Sequence, residues 1–465
     1  MKEKIIRSVS FVCLTLLVLA GVYKVLSWKD TSGDYLSVTS QLYHTDRDLM
    51  DVVFVGSSHV YTSIYPALMW QSKGISAFDM SLSEQDKDCS YHCLKELLKT
   101  QTPQVVCVEM YGLMFDEHSR KGDAYRNVLA LKTSKNSVEL AYDSAIGDDV
   151  TDYLLRWPII HTRYRELKRN DFRTNKVNYY GRGAVMGWGN EVGYMNPDVI
   201  KIKDITPLSE KNKAWIDSIY ELSQEYGFQL VFFVAPDFES AEEKMISNGA
   251  REYAATLGID YLDFTELAES IGFIPELDMG DLVHCNADGA KKITSYFSNY
   301  LENHFELTDH RGDGRYEYWD EDYRHYENIV VKRALSLAAN AEECLWAIKD
   351  SKDLTAIISL DGDFGDTCDY LDILGIDPAE SIEGGKWLYS DGTAEKIMSN
   401  NPGESHIIEL NRYDAFKVSC NGPGESVFSN VLFGLDRKIT VSDGLNVIVY
   451  DDIEEQIAAV NGYSE

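Results

Sequence analysis

Two short stretches of this chain carry the residue types that move acyl groups. Val52-Val53-Phe54-Val55 is an apolar, mostly β-branched run, and Gly56-Ser57-Ser58-His59 follows it directly. The pattern predicts a buried strand ending in a tight turn that presents a hydroxyl at its carboxyl end, where open α/β sheets bind ligands. A serine becomes a nucleophile when a base takes its proton and a carboxylate steers that base. Far downstream, Asp281-Leu282-Val283-His284 supplies both, because a three-residue offset on a loop lets two side chains converge. His284 and Asp281 are thus the candidate base and orienting acid, and the Gly-Ser-Ser turn offers Ser57 or Ser58 as the nucleophile. The backbone N–H of Ser58 is the first expected oxyanion donor. His59 stands next to the nucleophile, either to touch substrate or as a structural histidine.

The segments between these stretches must position them. After the first strand, the pattern predicts a short helix over Ile64 to Trp70, a strand over Ile75 to Met80, a helix over Lys87 to Thr100 and a strand over Val105 to Glu109. From about 115 to 207 the alternation breaks into an insertion rich in aromatic and basic residues, including Trp157, Tyr179, Arg182 and Tyr194, placed over the mouth of the site. Rings beside guanidinium groups suit a sugar face, and Arg182, in Tyr-Tyr-Gly-Arg-Gly, is the expected ligand contact; packing of the insertion is the plainer alternative for the rings. Alternation then resumes with a helix over Lys211 to Tyr226, a strand over Gln229 to Pro236 with a turn at its end, a helix over Ala241 to Leu257, a strand over Ile259 to Asp263 and a closing helix over Ala287 to Phe305. Strands and helices alternating at this pitch predict an α/β fold with a five-stranded parallel sheet covered on both faces. Residues 29–308 form this catalytic domain, 309–325 read as a charged, aromatic linker, and 326–465 as a smaller accessory domain.

The amino end differs. Val9 to Tyr23 is uncharged and mostly apolar, preceded by Lys2, Lys4 and Arg7 and extended to Trp28. The run suits a signal peptide or a short spanning helix; no small-x-small cleavage pattern stands out after it, which favours reading residues 1–28 as an uncleaved membrane anchor with its basic flank in the cytoplasm and the rest of the chain outside. A net charge of −32 argues against nucleic acid and against lying flat on anionic lipid. Eight cysteines in 465 residues do not make a disulfide framework. Cys89 and Cys93, at helical spacing, read as buried small residues, and no His or Cys spacing resembles a metal site. The chemistry calls for no metal and no cofactor.

Gly-Ser-Ser after the first strand and Asp-x-x-His before the last helix resemble the SGNH (GDSL-type) hydrolase and acyltransferase superfamily, and within it the membrane-anchored DltD-like proteins. The resemblance implies a flavodoxin-like three-layer fold. It also implies that the second residue after the glycine, Ser58, is the nucleophile and forms an acyl-Ser58 intermediate, and that a second oxyanion donor falls within Phe78 to Gln85, where the family's glycine is absent and the Ser83 backbone N–H stands in. The family's Gly-x-Asn-Asp block is likewise missing; Glu109-Met110-Tyr111 occupies its place. The implied activity is O-acylation of an envelope polysaccharide or teichoic-acid-like polymer, beside a membrane-bound O-acyltransferase. A carbohydrate O-esterase with the same triad and an inactive assembly or sugar-binding protein are the alternatives. Cys344-Leu345-Trp346-Ala347-Ile348, Gly384-Gly385-Lys386-Trp387 and Gly444-Leu445-Asn446-Val447 are similar to the interleukin-like EMT inducer (PANDER-like) domain. The Gly-Leu-Asn-Val strand comes last here rather than first, as in a circular permutation, and the likeness implies an α+β domain that holds sugar.

Overall fold

A computed structural model describes residues 2–27, 35–114, 121–145, 149–154, 160–167, 169–172, 180–189, 195–237, 240–349, 351–410, 415–422, 425–430, 439–441, 443–454 and 456–463. Trp28, Trp157, Tyr179 and Tyr194 lie outside the described residues. The chain divides into two compact units, Met1–Tyr323 and Arg324–Glu465.

The first unit is an α/β fold built on five parallel strands: β1 Val52–Gly56, β2 Ala77–Ser81, β3 Val105–Glu109, β4 Gln229–Val234 and β5 Asp260–Asp263. Their order is β2-β1-β3-β4-β5, the doubly wound flavodoxin-like order whose ligand site lies where the winding reverses, between β1 and β3. Every residue of β1, β2 and β3 is buried, as a parallel sheet with helices on both faces requires. The period of two divides the core accordingly: Val53 and Val55 pack into one apolar cluster with Val106 and Val108, while Val52 and Phe54 pack into the other with Val105 and Cys107.

Helix starts follow local chemistry. Asp86, Ser209, Ser240 and Asn286 each accept a backbone N–H from the first turn of the helix they open. The helix expected over Ile64–Trp70 runs over Pro66–Lys73, and a separate short helix, Ser58–Ser63, precedes it. Pro66 explains the break: its ring forbids a continuing helical N–H and suits a first turn. The described residues of the insertion include the short helices Lys121–Ala130, Lys135–Ser144 and Val150–Leu154.

The amino-terminal helix, Lys2–Leu26, holds a 23-residue segment, Lys4–Leu26, of mean hydropathy 2.3 that is long and apolar enough to cross a membrane, with its most apolar stretch exposed. Its last carbonyls lack helical partners. Arg163 supplies them, donating through Nη1 to the Leu26 and Ser27 carbonyls at 2.8 and 2.7 Å, while its Nη2 pairs with Asp171.

The stretch expected to be a linker is folded against the first unit, and the linker reading is corrected on that point. Trp319 is fully buried, and its indole N–H donates to the Ala77 carbonyl at 2.9 Å. Tyr316 is buried and stacks on His310. The division between units falls inside the helix Glu317–Leu337.

The second unit is antiparallel. One sheet has the order β14-β13-β6-β7-β8 and the other β12-β11-β10-β9, from β6 Leu354–Asp361, β7 Gly385–Ser390, β8 Thr393–Met398, β9 Ser405–Glu409, β10 Ala415–Gly422, β11 Glu425–Asn430, β12 Ile439–Val441, β13 Gly444–Asp451 and β14 Gln456–Tyr463. The Gly-Leu-Asn-Val segment lies in β13, paired on both sides and wholly buried. Helix Ala341–Lys349 contributes Cys344, Leu345 and Ile348 to the core beneath.

Candidate active site

The site forms at the carboxyl ends of β1 and β3, and its geometry begins with Ser57. Ser57 caps the helix Ser58–Ser63, its hydroxyl accepting from the His59 N–H at 3.3 Å and donating to Glu109 Oε2 at 2.9 Å. The Ser57 N–H donates to the same carboxylate oxygen at 2.7 Å. Ser57 is therefore buried and committed, whereas Ser58 is half-buried with its hydroxyl turned to His284. Glycine is required just before this turn, because a Cβ on Gly56 would stand 2.5 Å from the Glu109 Cβ and 2.6 Å from Val60.

His284 and Asp281 come from the loop ahead of the helix Ala287–His304. Asp281 Oδ1 accepts the backbone N–H groups of Val283 and His284, both at 2.8 Å, which folds the loop into a tight turn. Asn286 holds the turn in place. It caps the following helix through Oδ1 and donates through Nδ2 to the carbonyls of Leu277, Met279 and Gly189. Asp281 Oδ2 lies 2.9 Å from His284 Nδ1, and His284 Nε2 lies 2.7 Å from Ser58 Oγ. With the carboxylate taking the Nδ1 proton, Nε2 is left to accept from the serine. Burial raises the Asp281 carboxyl, but hydrogen bonds from the His284 ring and the two backbone N–H groups outweigh it and hold the group below its usual range. The structure thus brings together the three residues whose types suit acyl transfer.

The Ser58 N–H opens the helix and has no acceptor among the described residues. Ser83 stands two residues beyond Ser81, the last residue of β2, which pairs with Gly56 of β1. Its carbonyl accepts from Asn127 Nδ2 at 3.2 Å.

His59 takes the structural one of its two expected roles, and Arg182 departs from expectation. His59 is buried rather than facing substrate, its Nδ1 3.1 Å from Glu109 Oε1. Burial opposes its charge, but the contact with Glu109 prevails and raises its pKa. Arg182, expected as a ligand contact, is buried and ion-paired with Asp322, with Nη1 on Thr45 Oγ1 at 2.9 Å and its guanidinium over Trp319. Folding spends its hydrogen-bonding capacity on the scaffold, so the ligand reading is corrected. The segment around it does border the site: Val185 N–H donates to the Tyr61 carbonyl and Ala287 N–H to the Gly187 carbonyl.

Sequence reasoning missed Glu109 and Asp237. Glu109 signalled itself only as a carboxylate ending an apolar strand where the resemblance expects Gly-x-Asn-Asp. Asp237, three residues past β4, is buried with Oδ1 unpartnered. Burial lifts its carboxyl to about 7, with His59 pulling the other way. Cys285 is a buried bystander whose thiol burial pushes up to about 12. Cys89 and Cys93 are free, their sulfurs 3.8 Å apart. Among the described residues no group of three His, Cys, Asp or Glu side chains is placed to hold a metal ion.

Fold and site together define a doubly wound α/β protein with a Ser-His-Asp constellation at the switch point of its sheet. No family model matches the chain, and no curated protein matches it. Among solved structures, it is similar to an acetyl xylan esterase, Est2A, from the rumen bacterium Butyrivibrio proteoclasticus. That match has a TM-score of 0.24 and 10% identity, and covers 55% of this chain and 64% of the other.

Proposed function

We propose that this chain is a membrane-anchored serine acyltransferase that works outside the cytoplasm through an acyl-Ser58 intermediate. The observation that carries the reading is the unbroken contact from Asp281 through His284 to Ser58 at the β1/β3 switch point. Ser58 Oγ gives its proton to His284 Nε2 and attacks the acyl carbonyl. The oxyanion is met by the Ser58 N–H, with the Ser83 N–H as second donor. The imidazolium, steadied by Asp281, returns its proton to the leaving alcohol as the ester bond breaks. An acceptor hydroxyl then loses its proton to His284 and takes the acyl group from Ser58.

The acceptor in this reading is a hydroxyl of an envelope polysaccharide or teichoic-acid-like polymer, with a membrane-bound O-acyltransferase as the partner that presents acyl groups. The helix Lys2–Leu26 and its basic first turns support the anchor and its orientation. A second reading, carbohydrate O-esterase, is favoured by openness: the Asp281 side chain is 46% exposed and that of His284 30%, so water reaches the base. Incubating the full chain with p-nitrophenyl acetate and an oligosaccharide separates them. Acetylated sugar supports transfer and free acetate alone supports hydrolysis. Failure of a fluorophosphonate to label wild-type Ser58 sinks both.

A further inference from the structure

The buried carboxylate and imidazole beneath the nucleophile turn are not used by the chemistry above, and their placement asks for a role. Glu109 divides its two oxygens. Oε2 holds the Ser57 N–H and hydroxyl at 2.7 and 2.9 Å, and Oε1 stands 3.1 Å from His59 Nδ1, an ion-pair distance although the N–H points off the line to that oxygen. Both side chains are almost wholly buried, at 2% and 4% exposure. The other side of the His59 ring faces the base: its centroid lies 5.5 Å from that of His284, edge to face, and 4.2 Å from Tyr111.

We propose that His59 and Glu109 are positioning residues for the Ser58–His284 reaction: their ion pair fixes the Ser57–Ser58 turn and sets the His59 ring against that of His284, where a second positive charge is disfavoured. This inference rests on the serine-nucleophile reading. The turn matters because the backbone direction at Ser57 sets where the Ser58 N–H points, and the carboxylate holds that residue by two donors. The charge matters because a cation 5.5 Å from the base disfavours a second cation in a partly buried site. The groups around His59 come from every neighbouring element: Glu109 of β3, Tyr111 just after it, Asp237 after β4, and Asp281 and His284 of the loop. Only Glu109 touches it as an ion pair among the described contacts. Its contact raises the His59 pKa despite burial, as the cationic form requires.

The test is the pH dependence of fluorophosphonate labelling at Ser58 in the full-length chain, for wild type, His59→Gln and Glu109→Gln. His59→Gln removes the cation and leaves the carboxylate; Glu109→Gln keeps an acceptor for Ser57 but removes the counter-charge that keeps His59 protonated. In both, the acid limb of the rate profile moves to higher pH. A purely structural role would lower the plateau and leave the midpoint where it is. Labelling of wild type with unmoved midpoints in both variants overturns this inference alone. No labelling of wild type overturns the nucleophile reading and this inference with it. Should His59→Gln fail to fold, the nearly isosteric Glu109→Gln decides.

Discussion

Arg182 provides the sharpest test of how the first unit is held together. The residue sits in left-handed backbone at φ 46°, between Gly181 and Gly183. Its guanidinium is ion-paired with Asp322, hydrogen-bonded to Thr45 and stacked near Tyr318 and Trp319. Asp322 is fully buried, and its remaining donor is the Gly181 N–H at 2.8 Å. Burial raises its carboxyl although Arg182 and Gly181 pull it down, so desolvation is the larger cost in this pair. Arg182→Leu removes the compensating charge and keeps the desolvation, which costs about 3–5 kcal/mol for a buried pair. In a unit of this size that is a fall in Tm of about 5–15 °C. Arg182→Leu with Asp322→Leu removes both charges and recovers part of the loss, because a packed apolar pair often replaces a buried ion pair at little cost. Thermal denaturation of the three proteins, with KM for a small sugar ester measured on each, is the assay. KM stays near the wild-type value throughout. A single variant that melts like wild type while raising KM about tenfold would refute the scaffold role and return Arg182 to the substrate.

Four further outcomes follow from the same geometry. Ser58→Ala abolishes ester turnover, and Asp281→Asn lowers kcat by about 10²–10⁴-fold, since the imidazole loses the acceptor for its Nδ1 proton; a kcat unchanged in either excludes the assignment. Asp237 keeps its proton in the folded chain up to about pH 7, whereas the unfolded carboxyl releases it near pH 4. Stability therefore falls as pH rises through that window, by about 4 kcal/mol at most. Asp237→Asn removes the slope, so its Tm advantage over wild type grows from pH 5 to pH 8 and a constant difference contradicts the argument. Gly56→Ala pushes a methyl into Glu109 and Val60, costs about 1–3 kcal/mol and slows labelling of Ser58 by displacing the turn; wild-type stability and labelling would mean the turn tolerates the shift. A chain ending at Glu306 loses Trp319 and Asp322 from the core of the first unit and expresses as insoluble or poorly stable protein, while one ending at Leu337 keeps them; equal solubility of the two contradicts that packing.

Much of the first unit was legible because its signals are local. An apolar β-branched run bounded by a turn specifies a buried strand without knowledge of its neighbours, and all five strands fall within two residues of their expected positions. Caps such as Ser240 and Asn286 mark helix starts through hydrogen bonds two or three residues long. The residue types of Ser58, Asp281 and His284 were legible for the same reason, since a three-residue Asp-to-His offset and a Gly-Ser-Ser turn are short-range patterns. Contacts across long sequence separations were not. That Glu109 reaches back to Ser57 and His59 depends on β3 lying beside β1, which register decides. Arg182 reads as a ligand residue until Asp322, 140 residues away, is seen beside it. The segment 309–325 has the charge and turn residues of a linker, and only the pocket that receives Trp319 makes it core. Composition sets which groups could be buried, but the partner that makes burial of a charge affordable is chosen by tertiary packing.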